Sequence, residues 1–412
     1  MKGLYSIGIY LASFIIKIAA LFNSKLKQGF VGRKATLSTL KNNIKPEDKT
    51  FWFHCASLGE YEQGLPVFEA LKAKCPTHKV ILTFFSPSGY EVRKNTKIAD
   101  VVVYLPLDTK TNAQQFLDLV HPDYILFVKY EIWPNFLHEI KKRNLNAVLI
   151  SAVFRKDQSF FKWYGSYTKS ALFGFSHIFT QDENSKILLK KIGYSNASVS
   201  GDTRFDRVSN QLKINNTVSF IESFKDDKLC MVFGSTWPED DKLYLDFINT
   251  TKNPEVKYII APHNIKASYV ASLKSQLKVS TICFSELDDT KNLKDYQVFI
   301  LDTIGYLSKV YSYADIAYVG GGAGSTGLHN ILEPAVFGIP ILIGKNYEKF
   351  PEAKTLIDLG GVTSLASATA FNSSLNALIT DNVLRQNKGE ITKLFIQKNK
   401  GAVNKIMAYF ES

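Results

Sequence analysis

The chain has 412 residues, 45% hydrophobic and 21% charged, which excludes a disordered polypeptide and exceeds one ordinary domain. Its 50 Lys and Arg against 38 Asp and Glu give a net charge of +12, suited to a nucleic acid, an anionic membrane or an anionic substrate. No zinc-finger spacing, RNA-binding aromatic signature or long basic run is present, so nucleic acid is set aside. Cys55, Cys75, Cys230 and Cys283 form no C-x-x-C pair and read as free or buried thiols in a reducing compartment. The 7 histidines lack clustered ligand spacing and there is no Walker A motif, so neither a protein-bound metal nor a P-loop is expected.

In chain order, residues 4–22 are almost wholly apolar, broken mainly by Ser6, Ser13 and Lys17, and come close to the length that spans a bilayer. A basic concentration follows at Lys25, Lys27, Arg33, Lys34, Lys41 and Lys45, which would hold that side in the cytoplasm. Residues 1–22 therefore read as a membrane anchor, either spanning or lying in the interface with Lys17 reaching the headgroups. Strands are expected at 51–54, 79–84, 101–105, 124–128, 147–151 and 177–180. Their near-continuous hydrophobicity points to a parallel sheet covered on both faces. A polar stretch at 208–228 reads as a linker, and strands resume at 229–233, 256–260, 279–283, 297–301, 316–319 and 339–343. The expectation is two Rossmann-like α/β domains, 23–207 and 229–412, the last helix being a candidate to pack back on the first domain. In both halves polar and glycine residues follow strand ends, where open α/β sheets bind ligands, so the two sheets are expected to face one another across a cleft.

The stretch 315–344, DIAYVGGGAGSTGLHNILEPAVFGIPILIG, reads as a buried strand, a glycine-rich turn, a helix starting near Leu328 and a second buried strand. Gly320, Gly321 and Gly322 would let backbone amides approach a ligand, and the helix N-terminus beyond them suits a phosphate. The match Gly322-x-Gly324-x-x-Gly327 is a weak dinucleotide signal, because the next strand ends in Gly344-Lys345-Asn346 rather than an acidic residue. A tight strand-to-helix turn is the plain structural alternative. His329, Asn330 and Glu333 add polar groups that a mere turn does not need.

Three charged residues stand out in the first half. Glu60, three residues after Ser57 in HCASLGE, is either a general base at the mouth of the sheet or one half of a capping box. Glu131, in KYEIWPN, follows a strand and is either functional or paired with Lys129 or an arginine. Arg204, in GDTRFD, has the fork geometry to bind an anion, or pairs with Asp202 or Asp206.

These segments in order (the apolar N-terminus, HCASLGE, TFFSPSGYE, YLPLD, KYEIWPN, ISAVFR, GDTRFD, GSTWPED, APHN, DTIGYL and the glycine stretch) resemble the 3-deoxy-D-manno-octulosonic acid (Kdo) transferases of lipopolysaccharide synthesis, over nearly the whole chain. The resemblance implies a membrane-anchored glycosyltransferase of the GT-B type that moves Kdo from CMP-Kdo to a lipid A precursor, lipid IVA. The reaction would be inverting, need no metal, and occur at the cytoplasmic face of the inner membrane, with its lipids as a further partner. By the same resemblance Glu60 is the catalytic base, and Glu131 and Arg204 stabilise the transition state. Pro262 and His263, Ile304, Gly305 and Tyr306, and Asn330, Ile331, Leu332 and Glu333 hold CMP. The chain departs from the family where it has Arg204 in place of a more usual Lys, Pro262-His263-Asn264 in place of Pro-Arg-His, and Ile304-Gly305-Tyr306 in place of Met-Gly-Glu. Two other readings are a UDP-sugar enzyme of the same architecture, transferase or epimerase, and an inactive nucleotide-binding scaffold on the membrane.

Overall fold

The computed structural model describes residues 2–251 and 253–411. The chain forms two compact units, Met1–Arg207 with Lys400–Ser412, and Val208–Asn399. In the first, strands β1 (Thr50–Cys55), β2 (Lys79–Phe84), β3 (Val101–Tyr104), β4 (Tyr124–Val128), β5 (Asn146–Ala152), β6 (His177–Thr180) and β7 (Ala197–Val199) form one parallel sheet in the order β3-β2-β1-β4-β5-β6-β7. Both faces of this sheet are covered, as the unbroken hydrophobic runs require. Phe51, Phe53, Cys55, Leu126, Val128, Val148 and Ile150 point into one core with Val67, Phe68 and Leu71 of helix Leu58–Lys74. Trp52, Ile125, Phe127, Ala147 and Leu149, one residue out of step with them, point into the other core with Phe116, Phe136 and Leu40. The two-residue period of a strand thus serves two cores at once.

The second unit repeats the plan with β8 (Leu229–Thr236), β9 (Val256–Pro262), β10 (Thr281–Cys283), β11 (Val298–Ile300), β12 (Ile316–Val319), β13 (Ile341–Gly344) and β14 (Val362–Leu365), all parallel, in the order β10-β11-β9-β8-β12-β13-β14. Met231, Phe233, Tyr258, Ile260, Tyr318 and Leu342 build one core with Tyr244, Phe247 and Phe371.

The borders differ from the sequence reading in two ways. The stretch 208–228 is not a plain linker: it contains helix Ser219–Lys225, whose Ile221 and Phe224 are fully buried, and the border falls inside helix Thr203–Gln211. Residues 400–412 group with the first unit, the domain on which the last helix was a candidate to pack. There the carboxylate of Asp206 accepts the amides of Gly401 and Ala402, each at 2.9 Å, and Ile406 of helix Ala402–Tyr409 is fully buried beside Phe53 and Leu126. At the other terminus the chain forms helix Lys2–Ala19, tied to its unit by the Tyr5 hydroxyl, which donates to Asp108 at 2.7 Å. Leu4, Ile7, Leu11, Phe14 and Ile18, spaced along one helical face, are exposed. No helix among the described residues is long and apolar enough to cross a membrane.

Truncating Ile406 to Ala is expected to lower stability by about 2–5 kcal/mol, the usual cost of emptying a packed aliphatic site. Hydrogen exchange should quicken in β1 and β4 and stay unchanged in β8 and β12. Quickening in β8 and β12 instead would assign the last helix to the second unit.

Candidate active site

In each sheet the chain starts at a central strand and winds outward in both directions, so the connections part between β1 and β4 and between β8 and β12. Ligands of open parallel sheets bind outside the strand ends at such a point. In the first unit Glu60 follows β1 and Glu131 follows β4, so the topology puts both carboxylates at this opening. Glu60 accepts the amides of Ala56 at 2.6 Å and Ser57 at 3.1 Å, the reach-back of a helix-capping carboxylate. Burial, and next the negative charge of Glu131, push its pKa up to about 7, against the opposing pull of the two amides and of Lys129. The capping role and a proton affinity suited to a general base therefore coexist in one side chain.

Glu131 is buried and pairs neither with Lys129 nor with an arginine. Its Oε2 is 2.9 Å from Nε2 of His54 and 2.7 Å from the indole nitrogen of Trp133. On its other side His54 meets the hydroxyl of Thr83 through Nδ1 at 2.8 Å. Arg204 takes the ion pair that its sequence context left open: Nε and a terminal nitrogen each reach Asp202 Oδ2 at 2.8 Å, and its amide donates to Oδ1 at 2.9 Å.

The second unit corrects the reading of the glycine stretch. No helix starts near Leu328; the chain runs irregularly to a four-residue helix, Leu332–Ala335, so the glycine stretch does not open a long helix. Pro334 and the turn in which Asn330 Oδ1 accepts the amide of Leu332 at 3.1 Å both oppose an earlier start. Two of the glycine amides also have partners inside the protein, that of Gly320 on the carbonyl of Gly234 at 2.9 Å and that of Gly321 on Asp240. Asp240, fully buried after β8, accepts the amides of Trp237 at 2.9 Å, Gly321 at 2.8 Å and Ala323 at 3.3 Å, and the Tyr318 hydroxyl at 2.6 Å. What demands glycine is backbone packing. A Cβ on Gly320 would stand 2.4 Å from the carbonyl oxygen of Ser235, and one on Gly344 2.1 Å from the amide of Ala323.

Around this loop lie three rings: Trp237 stacks on His263 at 4.6 Å, His263 lies 4.6 Å from His329, and the Trp237 indole donates to His329 Nε2 at 2.9 Å. Burial, then the neighbouring His263, push the pKa of His329 down to about 4, and burial lowers that of His263, so both are neutral acceptors or donors rather than cations at neutral pH. Pro262 is buried at the end of β9. Asn330 donates to Glu333 at 3.1 Å and Ser308 donates to the same carboxylate at 3.2 Å. Ile331 and Leu332 are core residues, 1% and 0% exposed, so their side chains cannot line a ligand pocket. After β11, Ile304 is 80% exposed, Gly305 has φ of +91°, and the Tyr306 ring packs against Phe220 and Phe284.

Residues 29–207 match the family model described as 3-deoxy-D-manno-octulosonic-acid transferase. Over 374 residues, 88% of this chain and 86% of the relative, the sequence is 28% identical to the 3-deoxy-D-manno-octulosonic acid transferase of Haemophilus influenzae. By these matches the chain is a homologue of the Kdo transferases. Its fold is also similar to that of the Neisseria meningitidis UDP-GlcNAc 2-epimerase bound to UDP-GlcNAc, with a TM-score of 0.61 at 18% identity over 88% of this chain and 98% of that one. It is similar to Acinetobacter baumannii MurG with a TM-score of 0.53 at 10% identity, over 89% and 100%. At such identities the likeness is one of architecture alone.

Within the Kdo transferase homologue, Glu60 and Glu131 come together in the first unit. Pro262 and His263 in the second unit join a group the sequence reading did not assemble. Its other members, Trp237, Asp240 and His329, stand in quoted motifs, yet Trp237 meets His329 across 92 positions and Asp240 meets Tyr318 across 78, and neither pairing leaves a local signal. His54 and Trp133 were likewise visible in HCASLGE and KYEIWPN only as letters. Among the described residues no group of three or more His, Cys, Asp or Glu side chains is placed to hold a metal ion.

A carboxyl whose folded pKa lies near 7 rather than 4.5 binds its proton more tightly when folded, so its contribution to stability is full below the unfolded value and is lost as pH rises through the folded one. The wild-type melting temperature should therefore fall more from about pH 5 to about pH 8 than that of Glu60→Gln. Parallel curves for the two proteins would show that Glu60 is not perturbed.

Proposed function

We propose that this chain transfers Kdo from CMP-Kdo to a glucosamine hydroxyl of a lipid A precursor, with inversion at the anomeric carbon. The observation that carries the mechanism is the raised proton affinity of Glu60 at the opening between β1 and β4. Glu60 takes the proton of the acceptor hydroxyl as that oxygen attacks, since a base whose pKa lies near the working pH is both ionised often enough and basic enough. Glu131 lends negative charge beside the oxocarbenium-like centre that forms as CMP departs, and Arg204, oriented by Asp202, meets anionic charge from the first unit. CMP is held in the second unit by the amides and side chains near Pro262, His263, Gly305 and Asn330, with Glu333 on the ribose hydroxyls. The backbones of Ile304, Tyr306, Ile331 and Leu332 help shape the pocket, and no metal takes part. Homology supports the donor and the reaction class.

The acceptor is a lipid, and the exposed row on helix Lys2–Ala19 together with the basic residues that follow it supports seating at the cytoplasmic surface of the inner membrane. Within this proposal the helix lies in the interface, its exposed apolar row in the lipid and Lys17 reaching the headgroups.

Glu60→Gln keeps the size of the side chain and can still accept both amides, so CMP affinity and folding should persist while kcat falls roughly 10²–10⁴-fold. The wild-type kcat/KM for the lipid acceptor should rise with pH through about 7 and level off. A folded Gln variant with wild-type turnover would remove Glu60 from the base role.

A further inference from the structure

Glu131 stands in an irregular segment between β4 and helix Pro134–Lys142, preceded by Lys129 at a φ of +69°, and nothing in the chain direction alone would hold its carboxylate in one orientation. Two donors do so, both on Oε2: His54 Nε2 at 2.9 Å and Trp133 Nε1 at 2.7 Å. His54 is fully buried on β1, between Thr83 of β2 and Glu131 beyond β4, so its ring bridges three adjacent strands at their carboxyl ends.

The bonds around Thr83 give this bridge a direction. Its hydroxyl oxygen accepts the indole N–H of Trp52 at 2.9 Å. Its single proton has two possible acceptors, His54 Nδ1 at 2.8 Å and the carbonyl of Phe53 at 3.3 Å, and the shorter is the imidazole. With Nδ1 accepting, the neutral ring carries its hydrogen on Nε2 and must donate it to Glu131. The indole of Trp133, which also lies 3.0 Å from His54 Nε2, then has only the carboxylate to serve. Trp52, Thr83, His54 and Glu131 form one chain of donors ending on a carboxylate oxygen, while Oε1 carries neither of the two bonds. A histidine that merely filled the core would need no such ending at the mouth of the sheet.

We propose that His54 is a positioning residue for Glu131: it pins Oε2, with Trp133 as second donor, so that the other carboxylate oxygen faces the reacting sugar in a fixed orientation. The proposal rests on the reading of Glu131 as a group that acts on the reaction. Losing the pin should cost turnover rather than donor binding, because a group displaced by about an ångström can lose up to about 10²-fold in rate.

The experiment is a double-mutant cycle on the full chain with CMP-Kdo and a lipid A precursor, reading kcat, donor KM and melting temperature for His54→Asn, His54→Gln, Glu131→Gln and the Asn/Gln double variant. Asn places its amide near the Nδ1 position and Gln near Nε2, so Asn should lower kcat by about 10- to 100-fold with donor KM within about twofold, and Gln should recover much of the loss. In the Glu131→Gln background, His54→Asn should cost less than about twofold more. Equal losses for His54→Asn in both backgrounds, or equal impairment by Asn and Gln, would overturn the positioning role. Wild-type turnover in Glu131→Gln would overturn the reading of Glu131 itself, and the proposal with it. Should His54→Asn fail to fold, Trp133→Phe removes the second donor to the same oxygen and takes its place in the cycle, with the same criterion of non-additivity.

Discussion

Where two neighbouring parallel strands send their connections in opposite directions, a gap opens at their carboxyl ends, and both sheets of this protein put their polar chemistry there. In the first unit that constraint sets Glu60 and Glu131 at the ends of paired strands. Partial removal from water and a second negative charge then raise the proton affinity of Glu60 to neutrality. Neither effect needs an unusual residue. A capping carboxylate on an isolated helix would be ionised at neutral pH, and the same residue at the end of β1 holds its proton more tightly, because the sheet supplies burial and a like charge together. The donors around Glu131 complete the division of labour, since a carboxylate bonded by an imidazole and an indole is held in place.

The second unit uses a buried carboxylate differently. Asp240 binds amides on both sides of the opening between β8 and β12 and so closes the glycine loop upon the strand end that precedes it. Leaving those amides unpaired inside the protein would cost on the order of 1–3 kcal/mol each. The glycines allow this loop to lie against Ser235, Ala323 and Gly344 without side chains between. Next to it the rings of Trp237, His263 and His329 form a largely neutral surface, apt for a flat heterocycle and indifferent to phosphate charge.

Most of the fold could be read from the sequence because strands buried on both faces have no polar residues to interrupt them, and β2, β4, β6 and β12 fall on the expected bounds. The edge strands β7 and β14 escaped notice, being three and four residues long with side chains only partly covered. The last helix was a candidate to pack on the first unit, but the amide partners of Asp206 lie some 195 positions away, which no window along the chain can detect. The site was legible to the extent that chemistry follows strand ends: Glu60, Glu131 and His263 lie there. It was left open where a side chain's partner decides its role, as for Arg204 between an anion and Asp202, and illegible for the Gly321 amide with Asp240 and for Ile331 and Leu332, whose place in the core strips them of any side-chain contact with a ligand.

The architecture is shared with enzymes of UDP-sugars, so the donor is the point on which the account turns. The most direct measurement is mass spectrometry of a lipid A precursor incubated with the purified chain and either CMP-Kdo or UDP-GlcNAc. The account predicts a lipid heavier by one or more Kdo units and release of CMP with the first donor, and no change in lipid or sugar with the second. An unmodified lipid with CMP-Kdo alongside turnover of UDP-GlcNAc would contradict it.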